Sequence, residues 1–145
     1  MSLNKILVQR HRVNAGLDYS AAHLRPALLQ ALMDIVFLPF LKMAPEATEE
    51  VAKAAFDKGH AGLEKFTTYL GDSQFVGGQA QLSIADIQLF FEVGLWQLCF
   101  KDQDVAAKHP KIWEWFERCK ENEVLNKVYN EMDKLCTEFA ESLKA

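Results

Sequence analysis

Apolar residues in this chain step by three, four or seven almost everywhere, and that spacing selects helices. From about Asn4 to Leu38, Ile6, Val13, Leu17, Leu24, Leu28, Leu32 and Ile35 follow one face of a helix, not a strand. Near the other end, Leu125, Val128, Met132, Leu135, Phe139 and Leu143 repeat the pattern from about Glu123 to Leu143. Seven glycines and four prolines in 145 residues are too few for the turns of a β-sandwich or barrel of this size. The chain is also half hydrophobic and a quarter charged, which excludes a disordered or collagenous polymer.

The segments between follow suit. Thirty-odd residues is long for one helix, and Pro26 inside it removes a donor and predicts a bend. Pro39 is its stop signal. A second helix is expected from Pro45 or Glu46 to Leu70, with Glu46, Glu49 and Glu50 at the dipole's positive end. Its buried stripe is Ala52, Ala55, Phe56, Gly59, Leu63, Phe66 and Leu70. Gly59 and Gly62 each cost about 1 kcal/mol against alanine, so close approach by another helix is expected there.

Gly77-Gly78 is a turn, and Ser83 followed by Asp86 reads as a reciprocal N-cap. Leu82 and Ile87 stand at the two places of a hydrophobic staple. The helix they open carries Ile84, Ile87, Phe91, Gly94, Leu95 and Leu98 on one face and Leu89, Phe90, Val93 and Trp96 on the other. Apolar nearly all round, it belongs at the centre of the domain. His109-Pro110 starts another helix. No repeat or linker interrupts residues 1–145, so the expectation is a single all-α domain of five to six helices, the first long and bent.

Charge and cysteine narrow the setting. Residues 1–42 hold five basic against two acidic residues, a balance of +3, and residues 43–145 hold eleven against eighteen, or −7. A segment at +3 is far from the basic stripe of a nucleic-acid binder, so no nucleic-acid partner is expected. Cys99, Cys119 and Cys136 are odd in number and follow no CxxC spacing, which fits a reduced, cytoplasmic protein with small buried thiols. The longest unbroken apolar run, Ile35 to Leu41, is far short of a bilayer span, so no membrane partner is expected.

Motifs that carry chemistry are scarce. His11, His23, His60 and His109 form no metal-binding pattern, and there is no GxSxG, P-loop or GxGxxG. Asp34 reads as a polar-face carboxylate. Trp113 and Trp115, two apart, fall on different faces of a helix. No catalytic residue, metal ligand or cofactor-binding residue is assigned.

The order of these signals resembles a known family. The stretch from Phe75-Val76-Gly77-Gly78 to Leu82-Ser83-Ile84-Ala85-Asp86-Ile87 is similar to a signature of the cytosolic glutathione transferase superfamily. There it opens the central helix of the C-terminal domain. His109-Pro110-Lys111-Ile112-Trp113, with Arg118 beyond it, resembles a later segment of the same domain. The opening Arg12-Val13-Asn14-Ala15-Gly16-Leu17-Asp18-Tyr19, with Leu24-Arg25-Pro26 and Phe37-Leu38-Pro39-Phe40-Leu41, resembles the theta class and its delta/epsilon relatives.

The resemblance implies that a thioredoxin-like domain, which binds glutathione as co-substrate, belongs N-terminal to this one. Nothing in the chain corresponds to it. The Met1-Ser2-Leu3 start marks either a domain boundary or the natural start of a shortened protein. The helical half would then line the pocket for a hydrophobic electrophile, with His23, Arg25, Leu28, Leu32 and Phe37 as its wall. Arg25 would otherwise make a surface ion pair, and the leucines would otherwise be core. On this reading the full protein serves detoxification by conjugation, and the 145 residues alone are inactive. The alternative is a non-catalytic interaction module, like the helical domains of translation elongation factor one gamma or of multi-synthetase complex factors. Uncovered apolar surface on the first two helices would favour a homodimer.

Overall fold

The computed structural model describes residues 2–142 as six helices. Helix α1 spans Leu3–Phe40 and α2 spans Glu49–Leu70. Helix α3 spans Ile84–Cys99, α4 Val105–Lys108, α5 Pro110–Lys120 and α6 Glu123–Ser142. No strand forms among the described residues. Leu143, expected to close the last stripe, lies outside them.

Helix α1 continues unbroken through Pro26, and the reason is local. Its winding widens to π-helical turns at Ser20–Leu24 and Leu32–Phe37. A proline's ring collides with the carbonyl four residues earlier and offers it no N–H. For Pro26 that residue is Ala22, and for Pro39 it is Ile35. Both lie inside a π turn, where the wider ring of the backbone absorbs the misfit. Pro39 also does not stop the helix before itself: α1 runs one residue further.

Helix α2 begins later than its acidic residues suggested. Thr48 caps it, Oγ1 accepting from the Val51 amide at 3.3 Å, so Glu46 precedes the helix while Glu49 and Glu50 occupy its first turn. The two glycines meet different neighbours. A Cβ on Gly62 would stand 2.6 Å from the Ala27 Cβ of α1, and one on Gly59 would stand 2.8 Å from the Trp96 ring of α3. Small residues thus let α1 and α3 close on α2 from two sides.

Helix α3 is the centre. Ala85, Asp86, Leu89, Phe90, Val93, Gly94, Trp96 and Leu98 are buried, packed with Phe66, Ile112, Trp115 and Phe116. Each such large side chain contributes about 1.5–3 kcal/mol by leaving water. Ile84, expected on the buried face, is 63% exposed. A helical side chain leans back over the preceding turn, and ahead of Ile84 there is none.

Helix α6 buries Leu125, Met132 and Phe139 of the expected stripe and adds Tyr129 and Cys136 in place of Val128 and Leu135. Leu125 and Tyr129 are buried, and Met132, Cys136 and Phe139 are half-buried, at steps of four and three. Val128 and Leu135 flank that seam and are exposed. The short helix α4 had no periodic signal; Asp104 caps it, accepting from the Ala107 amide at 3.1 Å.

By length and composition α1 could cross a membrane: an 18-residue window has mean hydropathy 1.3, with 28% of it buried. Its inner residues Leu24, Ala27, Leu28, Ala31 and Leu32 are core side chains. A helix packed this way on one face passes the same test.

Candidate functional site

Among the described residues, the cap of α3 is the most densely bonded polar group. Ser83 Oγ accepts from the Asp86 amide at 3.4 Å, and the Ser83 amide donates to Asp86 Oδ2 at 2.9 Å. The Ser83 hydroxyl donates to the same oxygen at 2.7 Å. Asp86 Oδ1 accepts from the Val76 amide at 2.8 Å and from the Trp115 indole at 3.0 Å. One fully buried carboxylate therefore ties the loop, α3 and α5 together. Leu82 and Ile87 are half-buried and pack against the core on either side of this cap. Gly77 (φ 70°) and Gly78 (φ 69°) shape the loop before it, and a Cβ on Gly77 would lie 2.9 Å from the Arg12 carbonyl oxygen of α1.

A second polar cluster sits at the first π turn of α1. Ser20 is fully buried, and its hydroxyl donates to Glu92 Oε1 at 2.8 Å while accepting from Gln88 at 2.7 Å. Arg25 Nε donates to the same Glu92 oxygen at 2.8 Å, with half of the Arg25 side chain still in solvent. Burial holds Glu92 above the ordinary carboxylate range, against the opposing pull of Ser20, Arg25 and Gln88. Glu92 Oε2 and the Tyr19 hydroxyl are buried with no hydrogen-bond partner. Tyr19 stacks flat on Tyr69 at 4.1 Å, and exposed His23 leans on it at 5.3 Å. The corner thus sets two orphaned buried oxygens beside an exposed imidazole and a half-exposed guanidinium.

The five wall residues expected from sequence divide among three places. His23 and Arg25 stand at this π-turn cluster. Leu28 and Leu32 are core side chains, 2% and 4% exposed. Phe37 lines an apolar cavity of about 320 Å³ between the end of α1, the end of α3 and α6. Val36, Leu95, Leu98, Cys99, Leu135, Cys136 and Phe139 complete most of its wall. Sequence reading overlooked Ser20, Gln88 and Glu92. A carboxylate inside the apolar run Phe90-Phe91-Glu92-Val93 was the available signal, since a buried charge needs partners.

A third cluster joins α2 to the start of α5. His60 Nδ1 and His109 Nε2 lie 2.9 Å apart, and His60 Nε2 lies 3.2 Å from Gln103 Oε1 and 3.4 Å from Lys108 Nζ. His109 Nδ1 is buried without a hydrogen bond, 3.8 Å from Glu64. Burial first, then His60 and Lys108, hold His109 below the usual histidine value, against the opposing pull of Glu64. Below about pH 6.5 an unfolded histidine takes up a proton that the folded one resists. His109 therefore contributes stability that is complete above that pH and is lost as pH falls towards the folded value. Urea midpoints should fall between pH 7.5 and pH 5.5, and the fall should be smaller in His109→Gln. An equal fall in both proteins would assign the acid sensitivity elsewhere.

An all-helical domain with a long first helix laid across a capped central helix is the class of protein these observations define. Residues 28–123 match the family model described as Glutathione S-transferase, C-terminal domain. The match covers well over half of the chain, and the chain belongs to that family. No curated protein matches it.

Proposed function

We propose that this chain is the electrophile-side half of a theta-like glutathione transferase, and that alone it neither binds glutathione nor conjugates. The observation that carries this reading is an uncovered apolar row at the start of α1. Leu3, Ile6 and Leu7, at helical spacing, are 69%, 44% and 53% exposed. An apolar row of this kind marks a docking surface. A thioredoxin-like, glutathione-binding domain laid on it would stand beside the N-terminal half of α1 and the His23–Arg25 corner. Arg25, with its charge half in solvent, would then be positioned to attract an anionic leaving group. Membership of the family supports this arrangement, as does the theta-like opening from Arg12 to Pro26.

The same row favours the second reading, a non-catalytic module whose partner is another protein. One experiment separates the two. The chain alone is assayed with a general aryl halide electrophile and passed over immobilised glutathione. It is then fused behind the thioredoxin-like domain of a theta-class transferase and assayed again. The expected result is no retention and no conjugation alone, with conjugation in the fusion that falls in Arg25→Ala. Retention of the chain alone, reversed by free glutathione, would overturn the division of labour. A folded fusion without activity would overturn the enzymatic reading in favour of the interaction module.

A further inference from the structure

Two residues five apart on α1 meet a single oxygen on α3. The Ser20 hydroxyl and the Arg25 Nε each donate to Glu92 Oε1 at 2.8 Å. In an unbroken α-helix, residues five apart stand about 140° apart around the axis. Here the π turn Ser20–Leu24 intervenes, and the Arg25 amide closes it by donating to the Ser20 carbonyl. A backbone bond between residues five apart turns their side chains towards one face. That is how both reach the same carboxylate. Gln88, one turn before Glu92 on α3, donates to Ser20 Oγ at 2.7 Å, which leaves the hydroxyl proton for Glu92. Ser20 is fully buried, and the Glu92 side chain is 13% exposed.

The grip on Arg25 is one-pronged. A carboxylate and a guanidinium set side by side make two parallel bonds. Glu92 makes one, since its Oε2 is buried without a partner. Among the described residues, Arg25 bonds only through Nε, and half of its side chain lies in solvent. A guanidinium is planar and rigid, so holding it by a buried partner at Nε leaves the end with both Nη groups facing outward.

We propose that Glu92 is a positioning residue: anchored by Ser20 and Gln88, it holds Arg25 by Nε and presents the Nη pair to a carboxylate on the electrophile.

This inference rests on the reading above, in which the His23–Arg25 corner faces the electrophile. Shape selects the ligand. Two Nη groups make parallel bonds to two coplanar oxygens, a match that a single halide atom cannot give. Order favours it as well. A freely rotating arginine gives up rotamers when it binds, whereas one already held by Nε has given them up on folding. A bare counter-charge would act in the opposite sense. It would only weaken the attraction of Arg25 for an anion, so removing it would improve binding.

The fusion with a theta-class thioredoxin-like domain is assayed with a chloronitrobenzoate and with its methyl ester, which has the same leaving group and no charge. The readout is the ratio of the two KM values, in which effects on folding or on the shared chloride cancel. The parent should favour the acid, and Arg25→Ala should abolish the preference. Glu92→Leu should reduce it by about 3–10-fold, the loss expected when a long side chain must be ordered on binding. Glu92→Gln retains an oxygen for Arg25 Nε and Ser20 and should retain the preference. In the Arg25→Ala background, Glu92→Leu should change nothing, because Glu92 acts through Arg25. In the chain alone, followed by NMR, the Arg25 Nε–H should resist exchange in the parent and in Glu92→Gln and lose that protection in Glu92→Leu. A folded fusion that conjugates neither compound overturns the reading above and this proposal with it. A fusion that loses its preference in Arg25→Ala but keeps or gains it in Glu92→Leu overturns this proposal alone. So does an active parent without preference for the acid, or an Arg25 Nε–H that exchanges freely in the parent.

Discussion

Asp86→Ala should lower the stability of the folded chain by about 4 kcal/mol, among the largest losses any single polar side chain here could cause. The carboxylate accepts four bonds: from the amides of Val76 and Ser83, the Ser83 hydroxyl and the Trp115 indole. Removing it spares the cost of burying a charge but leaves those donors facing each other in a fully buried pocket. Each orphaned donor costs about 1–3 kcal/mol, and water has little room to replace the carboxylate. Asp86→Asn should fare little better, since its amide nitrogen turns a donor towards donors. Ser83→Ala removes the cap and one of the four bonds to the carboxylate, leaves the other three in place, and should cost about 0.5–2 kcal/mol. Urea denaturation followed by helical circular dichroism checks the order. Equal midpoints for Asp86→Ala and Ser83→Ala would mean that Asp86 does no more than cap α3.

Gly62→Ala should destabilise the chain by about 1–3 kcal/mol, although alanine is the better helix former by about 1 kcal/mol. The added Cβ would stand 2.6 Å from the Ala27 Cβ. That methyl is fixed to the α1 backbone and cannot rotate aside, so α1 and α2 must separate. Ala27→Gly in the Gly62→Ala background should recover most of the loss, and the double-mutant cycle isolates the contact. A Gly62→Ala chain more stable than the parent would show that the helix pair yields without cost.

What was legible in the sequence was local. The α3 cap needs only residues three apart, and the spacing of apolar residues set five of the six helices, the central one among them. The glycine pair in α2 announced close packing, though not that it faces two partners. What escaped was long-range or depended on the surface each helix turns to its neighbours. Ser20 and Glu92 are 72 residues apart, and His60 and His109 are 49 apart. No spacing rule relates them, because their meeting depends on which helices lie side by side. Leu28 and Leu32 were candidates for a pocket wall because an apolar side chain on α1 reads the same whether it faces a cavity or the core. Arg25 shows the same ambiguity resolved halfway: it makes the ion pair expected of a surface residue, but with a carboxylate that is mostly buried.

The two π turns of α1 do more than accommodate prolines. Each inserts one extra residue into a turn, which rotates everything downstream by about 100° relative to an unbroken α-helix. The helix is therefore three rods with different angular phases joined end to end. Before the first π turn, Gly16 faces Val76 and Ala85. Between the two, Ala27 faces Gly62. After the second, Phe40 meets Phe139 of α6 edge to face at 4.8 Å. One uniform stripe could not address three partners placed around it. Deleting a single residue from Ser20–Leu24 would restore a regular helix there and throw the rest of α1 out of step with α2 and α6. In this chain the prolines act as the gears that set which side of the longest helix each neighbour receives.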